Sequence, residues 1–139
     1  MTDTEKKLLI LAFIKTQTLT VLSTVGDGKP ESAVIAFGET ENLELIFGTS
    51  NTARKYKNLQ NDPHVAFAIG WDPDAYMTVQ YEGTARELAG DEAKKYSAAF
   101  AVKNPRVAKY ASLPDERYFL VTPTWIRYTS KKETFEISF

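Results

Sequence analysis

The chain contains no cysteine, which excludes a disulfide framework, a thiolate metal site and a cysteine nucleophile. Histidine is almost as scarce. His64 is the only one, so no His-based metal spacing exists, and at a strand start after Pro63 it reads as structural. Neither sign of charge dominates: 17 Lys and Arg against 18 Asp and Glu leave a net charge of −1. No global basic field therefore draws the protein to nucleic acid or anionic lipid, and any bound anion requires a local cluster. The longest apolar run, Leu8–Ile14, falls far short of the ~20 residues of a membrane span. It follows an acidic start (Asp3, Glu5) with Lys6 and Lys7 adjacent and has no small-residue cleavage site after it, which argues against a signal peptide and makes cytoplasm the expected compartment. There is no repeat, no low-complexity tract, no G-x-S-x-G elbow, no Walker loop and no G-x-G-x-x-G. If the protein is an enzyme, a cofactor is expected to carry the chemistry.

What is present suits one folded unit. A length of 139 residues is that of a single domain, expected over residues 1–139, and 43% hydrophobic residues suffice for a core. Thr2-Asp-Thr-Glu5 reads as a capping box ahead of a helix to about Lys15. Thr18–Val25, the turn Gly26-Asp-Gly-Lys-Pro30 and Glu31–Phe37 then read as a hairpin. Leu43, Leu45 and Phe47, alternating with Glu44, read as a third strand. A short helix is expected from Ala53 to about Gln60, ending before Asp62-Pro63. Val65, Phe67 and Ile69 alternate with small residues, a pattern expected where another backbone or a flat ligand comes close. Tyr76–Leu88 is a long strand with a bend at Gly83, followed by a helix from an Asp91 cap to about Val102 and a short helical piece to Tyr110. Strands at Arg117–Thr122, Trp125–Thr129 and Thr134–Phe139 complete a mainly β (α+β) chain, best accommodated by a closed or partly closed antiparallel barrel.

The stretch Thr49-Ser-Asn-Thr-Ala-Arg-Lys-Tyr-Lys57 carries the strongest chemical argument. Cations in the first turn of a helix oppose the macrodipole and cost roughly 0.3–1 kcal/mol each where a carboxylate would gain it. Hydroxyls, free N–H groups and the pair Arg54 and Lys55 at one helix start form a receptor for a phosphate group. The other reading, a solvated basic helix capped by Thr52, stands beside it. On the long strand, Thr78, Gln80 and Glu82 share one face, which is either solvated or lines a pocket where Thr78 and Gln80 hydrogen-bond a heteroaromatic ring. Trp125 and Arg127 share a face in the same way, either capping a planar ligand or packing together.

The strand, G-D-G-K-P turn, strand, strand and T-A-R-K-Y-K-N-L-Q-N-D-P-H-V-A-F sequence resembles the pyridoxamine-phosphate-oxidase-like, FMN-binding split-barrel family, over about Leu19–Phe100. The resemblance implies an antiparallel split β-barrel with short helices in its connections, FMN as cofactor, reductase or oxidase chemistry on a small molecule, and a homodimer with the flavin at its interface. It implies that Arg54 and Lys55 clamp the FMN phosphate, with Thr49 and Ser50 adding hydrogen bonds. Ala33, Val34, Ile35 and Ala36 would run beside the ring, Thr78 and Gln80 would bond it, and Trp125 and Arg127 would close the site. Two departures matter: Ala33 and Gly38 replace an Arg and a Lys of the true oxidases, and the C-terminal Arg-x-His-type substrate motif is absent. Vitamin B6 oxidation is therefore not expected. A deazaflavin reductase, a flavin-free stress-associated relative and, more distantly, a haem-handling relative are the alternatives within the fold.

Overall fold

The computed structural model describes residues 1–139. It begins with helix α1 (Asp3–Lys15), whose capping box forms as the sequence predicts: Thr2 N donates to Glu5 Oε2 at 3.0 Å and Glu5 N to Thr2 Oγ1 at 3.1 Å. Strands β1 (Leu19–Gly26) and β2 (Lys29–Ala36) form the expected hairpin. Asp27 (φ 53°) and Gly28 (φ 75°) are both left-handed, the backbone that a two-residue turn needs to match strand twist. After β3 (Gly38–Glu39) and β4 (Leu45–Ser50) come helix α2 (Arg54–Asn61), β5 (His64–Asp72) and β6 (Met77–Glu87). Helix α3 (Gly90–Lys103), a 3-10 segment (Pro105–Ser112), β7 (Glu116–Thr129) and β8 (Thr134–Ser138) complete the chain.

Every strand pairing is antiparallel, in the order β2-β1-β5-β6-β7-β4-β3 with β8 alongside β7. The sheet curls around one core of alternating side chains, among them Leu22, Phe67, Ile69, Tyr81 and Ile126, and α1 adds Ile10, Phe13 and Ile14. A smaller cluster of Ile46, Leu88, Phe100, Tyr118 and Leu120 lies beneath α3. This second layer explains why β4 and the first half of β7 read as continuous apolar runs: both of their faces are covered. The α3 terminus is pinned by Lys103, whose Nζ sits 2.6 Å from Glu39 Oε2 and 3.9 Å from the Phe37 ring centroid.

Several boundaries differ from the sequence reading. The third strand begins at Leu45 because Leu43 turns left-handed (φ 63°) while keeping its side chain buried, and the hydroxyl of Thr40 accepts from Asn42 N and Glu44 N to make that turn. Ala53 and Ala89, rather than Thr52 and Asp91, occupy the cap positions of α2 and α3. The two strands expected at Arg117–Thr122 and Trp125–Thr129 are one strand, β7, which continues through Pro123 because a bulge there relieves the ladder of the missing N–H. Opposite Pro123, Gly83 takes the predicted bend; a Cβ on it would lie 2.4 Å from Thr122 O.

Candidate functional site

Helix α2 starts without a side-chain cap and without an acidic residue in its first turn. The N–H groups of Arg54 and Lys55 and the positive end of the helix dipole are therefore left for an external acceptor, while those of Tyr56 and Lys57 donate to Ala53 O. Arg54 and Lys55 sit there together and line a pocket with Leu22, Thr24, Glu31 and Ala33. Lys55 also lines the adjoining pocket, which holds Ile35 and Ala36, so the two cavities meet at its side chain. Lys55 has no salt-bridge partner, while Arg54 forms an ion pair with Glu31, its Nε 3.0 Å from Oε1, and its terminal nitrogens make no hydrogen bond within the chain. That geometry leaves both terminal nitrogens of the guanidinium fork for a ligand.

Glu31 was not singled out by the sequence, nor was the network behind it. Asn58, buried on α2, donates both amide hydrogens: to Glu31 Oε1 at 2.6 Å and to Thr24 Oγ1 at 3.0 Å. Gly26 leaves the space this needs, since a Cβ there would approach Asn58 Oδ1 to 2.6 Å. The chain Thr24–Asn58–Glu31–Arg54 thus fixes the cation from the hairpin side. The only sequence signal was a carboxylate following a turn, which is too common to single out.

The remaining predicted residues separate. Thr49 is buried at the end of β4, with Oγ1 3.3 Å from Ser50 O. The hydroxyl of Ser50 is engaged by Asp115 Oδ2 at 2.7 Å and Thr52 at 2.8 Å, tying the loop before α2 to the start of β7. Neither lines the pocket at Arg54 and Lys55. Thr78 donates to Gly70 O at 2.7 Å. Val34, Gln80 and Arg127 belong to one lateral row, Val34–Val21–Ala68–Gln80–Arg127–Glu136, in which each residue is paired directly with the next across the sheet. Gln80 and Trp125 line a shallow groove with Val21 and Ala68 on that outer face. Within one chain, the phosphate-type cluster and the Gln80–Trp125–Arg127 group therefore lie on opposite faces of the sheet. His64 is exposed and held by Asp62, with Nδ1 2.7 Å from Oδ1; the carboxyl of Asp62 is lowered by the hydrogen bonds from His64, the backbone one first. No cluster of His, Asp and Glu suited to a metal ion is present, and no helix is long and apolar enough to cross a membrane.

A curled antiparallel sheet with helices in its connections, and a cationic helix start beside its edge strand, define the split-barrel class. The general stress protein 26 of Bacillus anthracis superposes with a TM-score of 0.77 at 24% identity, covering 95% of this chain and 98% of that one. A heme binding protein of Mycobacterium smegmatis gives 0.83 at 21%, covering 99% and 58%. In sequence, residues 9–130 match the family model described as pyridoxamine 5'-phosphate oxidase, and the chain belongs to that family. The pyridoxine/pyridoxamine 5'-phosphate oxidase of Actinobacillus pleuropneumoniae serotype 3 is 28% identical over 91 residues, 66% of this chain and 43% of the relative. The chain thus spans less than half the length of that curated relative in the matched region.

Proposed function

We propose that this chain is a flavoprotein: it holds FMN non-covalently by the phosphate and acts, as a homodimer, as an oxidoreductase on a small molecule. The observation that carries the reading is the uncapped, carboxylate-free start of α2, where Arg54 and Lys55 open onto a pocket running along β2. A sequence selected only for folding would place Asp or Glu there. The donor set suits a phosphate: a guanidinium fork with its terminal nitrogens free, an unpaired ammonium, and first-turn N–H groups. The flavin, when bound, supplies hydride or electron transfer. The chain's residues bind and orient: Arg54 and Lys55 neutralise the phosphate, Glu31 aims Arg54, and small Ala33 and Ala36 let a flat ring approach the edge strand.

The dimer in this reading follows from the divided site. Leu19, Val21 and Val34 are exposed on the β1–β2 hairpin, and Gln80 and Trp125 share a groove with Val21. A second copy laid against this hairpin would cover that apolar surface and could bring its own Gln80, Trp125 and Arg127 toward the cofactor. Loss of the Arg and Lys at positions 33 and 38 speaks for a substrate other than a pyridoxamine phosphate.

The test is an absorbance spectrum after incubation with FMN and desalting. A retained flavin band near ~450 nm supports the reading; a colourless protein overturns it. The same protocol with a deazaflavin, whose phosphate suits the same clamp, decides between the two rings.

A further inference from the structure

The segment between α3 and β7 is held firmly at its two ends and weakly between them. At its start, buried Asn104 donates to Phe37 O at 2.8 Å and to Phe100 O at 3.2 Å. At its end, Asp115 O accepts from Asn51 N at 2.8 Å, and Asp115 Oδ2 accepts from Ser50 at 2.7 Å. Pro105 and Pro114 stand directly inside these two anchors. Between them Pro105–Ser112 forms a 3-10 helix of eight residues, none of them buried. Such runs are uncommon beyond about 3–4 residues because their hydrogen bonds are poorly aligned, and a longer one points to a hinge or a strained stretch. The bonds at its ends stay local: Val107 N to Asn104 O, Ser112 Oγ to Lys109 O and Leu113 N to Tyr110 O. Of the whole segment, only Val107 packs against the small core cluster beneath α3. One partly buried valine is a weak hold, and a segment with so few buried apolar contacts opens readily.

The same segment walls two cavities that meet at Val107. One, of about 190 Å³, runs from Lys55 past Ile35 to Val107 and Tyr110. The other, of about 380 Å³, lies between Pro105, Arg106 and Val107 and the strand ends at Leu19 and Ala36. Glu116 also lines the first, and burial, then the charge of Asp115, raises its carboxyl while Lys55 opposes the rise, so that end is already shielded from water. Tyr110 walls this cavity yet is 44% exposed, and Leu113 is 45% exposed, so inward movement has apolar area to bury. We propose that residues 105–113 are a strap, hinged at Asn104-Pro105 and at Pro114-Asp115. The strap opens as one unit to admit a ligand beside Lys55 and closes over it with Tyr110 inward, excluding water from the bound molecule. Closure over a flavin rests on the flavin reading; the opening of the strap does not.

Native-state hydrogen exchange, followed by NMR in the free protein and with saturating FMN, tests both parts. The amides of Ala108–Leu113 are expected to share one opening step and to be at least about 100-fold less protected than those of Phe119–Val121 in β7. Ile126→Val, in the main core, should lower the protection of β7 several-fold and leave that of the strap unchanged, whereas Val107→Ala should lower the strap's own protection about threefold or more. Bound FMN should slow exchange in the strap at least about tenfold. Strap protection equal to that of β7, or falling in step with it in Ile126→Val, would overturn the proposal, because the segment would then open only when the whole chain unfolds. If FMN binds and leaves the strap's exchange unchanged, closure falls and the flavin reading stands. If FMN does not bind, the flavin reading falls, and exchange in the free protein alone decides the strap.

Discussion

Glu31 places a carboxylate inside a cluster that would otherwise be cationic, and its effect depends on which guanidinium nitrogen it holds. Because it engages Nε, it fixes Arg54 without occupying the fork. Glu31→Gln keeps an acceptor for Asn58 and Arg54, whereas Glu31→Ala releases Arg54 and strands a buried amide donor, at about 1–3 kcal/mol of stability. Fluorescence titration is expected to find FMN affinity near the parent's in Glu31→Gln and about tenfold weaker in Glu31→Ala. Tighter binding in the alanine variant would mean that the carboxylate only repels phosphate. Glu116 makes a different prediction. Its folded form holds the proton more tightly than the unfolded chain does, so the ionised side chain lowers stability above the raised folded-state pKa, and the penalty vanishes below the unfolded value. Glu116→Gln should therefore raise the unfolding midpoint at pH 7, with the gain gone below about pH 4.5. A loss of stability at pH 7 would show that the carboxylate is structurally required. At this scale the sequence placed Arg54 and Lys55 at a helix start, where the structure has them, and they stand out because cations there violate a local rule. Glu31 and Glu116 break no local rule: the partners of Glu31 and most of the residues that surround Glu116 lie in other elements.

Among the elements, those defined by alternation or by turn chemistry were legible: the capped α1, the Asp27-Gly28 hairpin, and the alternating β5, β6 and β8. The misreadings have one physical origin. Pro123 signals a strand end locally, yet a bulge against Gly83 lets β7 continue. Leu43 fits a strand by hydrophobicity, yet reaches the core from a left-handed turn. In both cases tertiary packing overrides the local signal. Gly83→Ala tests the first: its Cβ would lie 2.4 Å from a backbone oxygen and 2.9 Å from Val121 Cγ1. Denaturant unfolding should register a loss of roughly 1–3 kcal/mol, and a neutral effect would contradict the close approach at the bulge.

On the scale of the whole molecule, the fold and family were readable because the order of strands, turn and cationic helix is itself distinctive. The division of the expected site between two faces was not readable, since it depends on strand order and on which face curls inward. The dimer proposal takes that division as its starting point. Val21→Glu, on the exposed hairpin face, should weaken self-association at least about tenfold in sedimentation experiments, because a buried, unpaired charge is expensive. A parent protein that sediments as a monomer would sink the shared site. The most direct measurement of the central claim is FMN affinity, by flavin fluorescence, in the parent and in the Arg54→Ala, Lys55→Ala double variant. Charge-assisted hydrogen bonds worth ~1.5–3 kcal/mol each predict a loss of about 100-fold or more. Equal affinity in the two proteins would contradict the phosphate clamp.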